Sequence, residues 1–151
     1  MEMPGLTVPR VALGCGNFGG VGSAPEFFGQ GLTGDQAFEL MDAAWESGLA
    51  WFDTADAYGG GRSEQAIGRW IRSRGVRPGL TTKTFNPMAA GADHGLQPDR
   101  IARQLRSSLD RLTVDPYGRG WLFEAETGSA TLGQQLAALM DAGAYRDLAG
   151  A

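Results

Sequence analysis

Apolar residues recur along this chain in two alternating patterns. Short, nearly continuous apolar runs at Val8–Gly14, Leu49–Thr54 and Leu80–Thr84 have the length of buried strands. Between them Ala37, Phe38, Met41, Ala44 and Trp45 fall at helical spacing, which predicts a helix over Thr33–Trp45. Thr33 and Gln36 form its expected capping box, and Gly48 its stop. A second helix is expected from Ser63, burying Ala66, Ile67, Trp70 and Ile71 and ending at Gly75. Pro98 opens a third, with the stripe Ile101, Leu105, Leu109 and Leu112. Trp121–Phe123 reads as a fourth strand, Leu132–Ala142 as a fourth helix and Asp147–Ala151 as the start of a fifth strand.

Strict alternation of strand and helix, with strands apolar on both faces, implies βαβ units and a parallel sheet. The candidate architectures are an open doubly wound sheet and a (β/α)8 barrel. Both place reactive groups at the C-terminal ends of their strands. Asp53 and Lys83 hold that position on consecutive strands.

Composition narrows the function. With 42% hydrophobic residues in 151, the chain can bury one sizeable core. A net charge of −4 with scattered arginines argues against nucleic acid and anionic membranes as partners. No apolar run reaches the roughly 18 residues of a membrane span, and no signal peptide opens the sequence, so a cytoplasmic protein is expected. Cys15 is the only cysteine and His94 the only histidine. That excludes an internal disulfide and offers no zinc-site spacing, so no metal is expected. A Cys15–His94 nucleophile pair would need residues from distant loops to meet.

Lys83 is the only lysine, in a chain that uses arginine elsewhere. An ammonium at a buried strand end suggests a task that a guanidinium cannot perform. Asp53 and Tyr58 are its nearest candidate partners. A phenol is a poor acid near neutral pH unless an ammonium stands beside it, and a carboxylate holds that ammonium charged and oriented. The plainer alternative is an Asp–Lys ion pair that fixes a strand end, with Tyr58 a lid residue. Asp56 and Glu64 compete for the carboxylate role, although Glu64 after the expected cap Ser63 fits dipole stabilisation. Trp45, Trp51 and Trp70 fall at core positions, while Phe18, Phe85 and Asn86 would flank the Lys83 end of the sheet. Gly14-Cys15-Gly16-Asn17-Phe18-Gly19 matches G-x-G-x-x-G, but Gly20, Gly22, Pro25 and Gly29 follow where a dinucleotide-binding helix would have to start. A tight backbone loop beside a ligand remains open.

Gly48 through Gly59, continuing to Ser63, Glu64 and Gly68, resembles the signature of the aldo-keto reductase family, with the same step from Asp53 to Tyr58. Leu13–Gly19, Thr82-Lys83-Thr84 and Leu105–Leu112 carry further likeness. The resemblance implies a partial (β/α)8 barrel of about the first four βα units, and residues 1–151 as one incomplete barrel domain. It implies reduction of a small-molecule aldehyde or ketone with NADPH, or less often NADH. By that likeness Tyr58 is the proton donor, Lys83 lowers its pKa and Asp53 supports Lys83. Gly16, Asn17, Phe18 and Asp53 would lie near the nicotinamide.

Two departures qualify the expectation. The family's histidine at the end of strand four is replaced by Phe123 or Glu124, and Pro116, Gly118 and Gly120 suit no strand interior. A (β/α)8 barrel needs about 250 residues, so a truncated, impaired enzyme is expected. The alternative is a catalytically inactive binding or assembly module that covers its open sheet edges by self-association.

Overall fold

The computed structural model describes residues 9–112 and the strand at Trp121–Glu124. Four parallel strands stand side by side in chain order: β1 (Leu13–Gly14), β2 (Trp51–Asp53), β3 (Gly79–Lys83) and β4 (Trp121–Glu124). Helix α1 (Gly34–Glu46) links β1 to β2, α2 (Arg62–Arg74) links β2 to β3, and α3 (Pro98–Leu112) lies between β3 and β4 in the chain. A doubly wound sheet reverses its strand order at a switch point. The unreversed order here is that of consecutive units of a (β/α)8 barrel, and the fold is a partial one.

Two of the helix signals act as the sequence predicts. Thr33 and Gln36 close a reciprocal capping box, and Gly75 ends α2 in the left-handed conformation at φ 66°. Ser63 is not the cap of α2; Gly61 is, because the chain enters that helix through a left-handed glycine turn. The first strand is only Leu13–Gly14 among the described residues, since pairing with Phe52 and Asp53 covers no more. The expected fourth helix, fifth strand and the Pro116–Gly120 stretch lie outside the described residues.

Side chains alternate across the sheet with period two. Phe52 and Leu80 face the helices and join Met41, Ile67, Trp70 and Leu112 in the core. Trp70 is fully buried, packs edge-on against Trp45 and gives its indole N–H to Asp42 at 2.8 Å. Trp51 departs from the core expectation. It lies half-buried on the other face, where its indole N–H donates to Thr81 Oγ1 at 2.9 Å. That second face also carries Asp53 and Lys83.

The buried stripe of α3 keeps Ile101 and Leu112 of the apolar one expected but takes in polar residues as well. Arg100, Ile101, Gln104, Ser108 and Leu112 are buried, while Leu105 and Leu109 are half-buried. Arg100 enters because Thr84, Gly95 and Asn86 take up its guanidinium, while at its other end α3 packs close to α2. A Cβ placed on Gly68 would fall 2.1 Å from the Arg111 carbonyl oxygen, so the helices touch backbone to backbone. Gly68→Ala should therefore lower stability by about 1–3 kcal/mol, despite the gain of about 1 kcal/mol in helix propensity. Urea unfolding reads this, and an unchanged midpoint would contradict the steric account.

Candidate active site

Three strand ends are fastened to one another beyond the regular ladder. The Cys15 N–H donates to the Asp53 carbonyl at 2.8 Å, Thr54 N–H to Thr81 O at 2.8 Å, and Asp56 N–H to Lys83 O at 2.9 Å. The segment after β2 is thus stitched along β3 as far as Lys83. Ser63 adds a helix to this seam: its hydroxyl donates to Cys15 O at 2.9 Å and so accepts from Thr54 Oγ1 at 2.8 Å.

On this frame Lys83 Nζ donates to Asp53 Oδ1 and to the Thr54 carbonyl, both at 2.6 Å. It stands 5.3 Å from the centroid of the Tyr58 ring. The three predicted residues therefore meet, with the ammonium over the aromatic face. Lys83 and Asp53 side chains remain 33% and 37% exposed, open to a bound molecule.

A glycine turn directly after Tyr58 holds it in place. Gly59, Gly60 and Gly61 take φ of 59°, 65° and 90°, a left-handed run in which a side chain is strained. Gly59 is pressed against the loop after β1: its N–H donates to Gly22 O at 2.9 Å, and a Cβ would meet Gly19 O at 2.9 Å. The Gly14–Gly19 segment enters no helix; the first helical residue of α1 is Gly34. It is a folded loop against the Tyr58 turn, which disposes of the dinucleotide-fingerprint reading. Of its residues Gly16 is half-buried beside the Tyr58 ring, Asn17 is exposed, and the Phe18 side chain lies in the core. Phe85 is exposed, with the His94 ring edge-on to it at 6.4 Å, and Asn86 donates to Ser23 Oγ at 2.9 Å.

Cys15 is no nucleophile. Burial, aided by the Asp53 charge, pushes its thiol up to about 12, and its Sγ contacts Leu13 O at 3.5 Å. Among the described residues no cluster of His, Cys, Asp and Glu could hold a metal. No described helix is long and apolar enough to cross a membrane.

The other two carboxylates serve the frame. Glu64 is fully buried, accepting from Thr82 Oγ1 at 2.6 Å and from Arg111 Nε at 2.7 Å, a bridge from α2 to both β3 and α3 that its helix-terminal position concealed. Asp56 is buried too, accepting from Thr84 Oγ1 at 2.5 Å. Burial raises its carboxyl from 3.8 to about 6, against the lowering effect of the Thr84 hydrogen bond. The folded chain thus binds that proton more tightly than the unfolded chain. Asp56 should subtract roughly 3 kcal/mol of stability as pH rises from about 4 through 6 and beyond. Comparing urea unfolding of wild type and Asp56→Asn across that range tests it: the variant should lack the fall.

Parallel strands in barrel order, with a Tyr, Lys and Asp gathered at their C-terminal ends, define the class of protein by fold and site. Residues 10–139 match the model of the Aldo/keto reductase family. The chain is 35% identical over 125 residues to the uncharacterized oxidoreductase YrpG of Bacillus subtilis (strain 168), covering 74% of this chain and 35% of that one. It superposes on the holo form of aldo-keto reductase AKR11C1 from Bacillus halodurans with a TM-score of 0.64 and 25% identity, over 88% of this chain and 41% of that one. The glycerol dehydrogenase AKR11B4 from Gluconobacter oxydans gives 0.62 and 25%, over 86% and 39%. The chain belongs to the aldo/keto reductase family of oxidoreductases. It spans about a third to two fifths of the length of these relatives.

Proposed function

We propose that this chain carries the proton-donor half of a cytoplasmic carbonyl reductase, converting a small aldehyde or ketone to an alcohol with NADPH or NADH. The observation that carries the reading is the Lys83 ammonium, fixed 2.6 Å from Asp53 Oδ1 and 5.3 Å from the Tyr58 ring centroid. Tyr58 protonates the carbonyl oxygen as charge develops there, and Lys83 eases departure of the phenolic proton. Asp53 and the Thr54 carbonyl keep the ammonium pointed. The reduced nicotinamide, when bound, supplies the hydride.

The residues present suit that ring. Gly16 brings bare backbone to the Tyr58 ring, where even a Cβ would lie 3.6 Å away, and the exposed Asn17 amide offers both a donor and an acceptor to a carboxamide. Gly16, Asn17 and Asp53 would hold it, with Phe18 supporting their loop from the core. The holo form of AKR11C1 and the alcohol named for AKR11B4 agree with a bound cofactor and a carbonyl–alcohol couple.

One observation favours a second reading. In the β3–β4 register Lys83 stands opposite Glu124, where the family resemblance leads one to expect a histidine. A carboxylate there would leave the carbonyl without its orienting donor, and the chain would act as an inactive binding or assembly module. Purified chain should quench or shift NADPH fluorescence and reduce an aldehyde if the first reading holds. Neither signal, together with a stable dimer on sizing, would establish the second.

A further inference from the structure

We propose that Arg100, Thr84 and Asp56 form a directional hydrogen-bond relay that positions Tyr58 against Lys83, making Asp56 a positioning residue of the acid. The purpose of the relay, though not its existence, rests on the reading of Tyr58 and Lys83 as that acid.

Direction follows from donor chemistry. Arginine only donates, so Arg100 Nη1, 2.8 Å from Thr84 Oγ1, makes that oxygen an acceptor. The single hydroxyl proton of Thr84 is then committed to Asp56 Oδ2 at 2.5 Å. Asp56, Thr84 and Arg100 are 1%, 4% and 2% exposed, so water cannot substitute for any of the three.

The relay reaches the site through chain neighbours. Thr84 follows Lys83 directly, and Asp56 lies two residues before Tyr58, with its own N–H bonded to Lys83 O at 2.9 Å. Arg100 Nη1 also donates to Gly95 O at 3.0 Å and Nη2 to Asn86 O at 2.8 Å. Because Asn86 in turn holds Ser23, loops after β1, β2 and β3 all hang from one guanidinium.

The charged groups around Asp56 make its state matter. It faces the Glu64 carboxylate on α2, which opposes its ionisation, and Arg100 on α3, which favours it; the Ala57 N–H of its own loop also lowers its pKa. Arg100 Nε makes no hydrogen bond among the described residues, and Asp93 Oδ2 lies 3.7 Å away. When Asp56 takes a proton, its hydrogen bond with Thr84 loses its charge assistance and the side-chain tether of the Tyr58 turn to β3 weakens, while the backbone bond from Asp56 N–H to Lys83 O remains. The acid would therefore be set above about pH 6 and loosened below it.

The test needs no turnover. In the whole chain labelled with 13Cζ-tyrosine, the Tyr58 signal, assigned with Tyr58→Phe, should shift with an inflection near pH 6. Asp56→Asn should abolish that inflection, and Thr84→Val should remove its amplitude while leaving Asp56 free to titrate. Thr84→Ser, which restores the hydroxyl, should recover it. Persistence of the inflection in Asp56→Asn, or its full amplitude in Thr84→Val, would overturn the relay. Absence of carbonyl reduction in wild type would instead remove the reductase reading and leave this result standing.

Discussion

Tyr58→Phe is expected to slow carbonyl reduction by the purified chain about 10²–10⁴-fold, the usual worth of a positioned acid. NADPH binding, read by fluorescence, should survive, because the phenyl ring still packs beside Gly16. Lys83→Met should reduce the rate by a similar factor for a different reason: the phenol remains but nothing assists loss of its proton. The two variants separate an acid from a structural strut. Both side chains of the Lys83–Asp53 pair are about a third exposed, and such a pair adds little to folding. The melting temperature should hardly move while the rate collapses. Lys83→Arg should not rescue, since a guanidinium neither fits the two acceptors at 2.6 Å nor concentrates its charge as an ammonium does. A Lys83→Met chain that unfolds while Tyr58→Phe keeps its rate would make the lysine a strut. A wild-type rate equal to the uncatalysed one would sink the reductase proposal itself.

What the sequence discloses here is what chain order and period can encode. Asp53 and Lys83 were legible because each ends an apolar run, and parallel strands bring such ends together whatever the intervening helices do. Tyr58 came with them through its short tether to Asp53. The supporting layer was not legible. Glu64 read as a first-turn residue that stabilises its helix dipole, and Arg100 drew no reading, because a polar residue in an amphipathic pattern is ordinarily outside. Only the close approach of α2 and α3 at Gly68, and the turning of Thr82 and Thr84 toward the helices, make them interior. Neither follows from spacing within one element. The same close packing admits Gln104 and Ser108 in place of Leu105 and Leu109 on the buried side of α3. The overlong first strand has a simpler origin: Val11 is apolar yet 64% exposed, and apolarity alone does not supply a pairing partner.

Glu64→Ala should cost about 3–5 kcal/mol of unfolding free energy, the largest single loss of stability expected in the described region. Removing the carboxylate leaves Arg111, whose side chain is only 16% exposed, without its counter-ion, and leaves the Thr82 hydroxyl without its acceptor. Both groups were desolvated on folding and neither regains water cheaply. The loss belongs to the broken pair and not to the net worth of the pair. Replacing both partners, as Glu64→Met with Arg111→Met, should restore most of the stability, because apolar groups of similar volume carry no unmet charge. Urea unfolding of the two single variants and the double reads this as a coupling energy, and additive costs would refute it. Thr82 lies one residue before Lys83, so the ion pair also sets where β3 ends. If that placement matters, the double variant will recover its stability but not the rate of reduction, and the bridge from α2 to β3 will have been kept for position at some expense in stability.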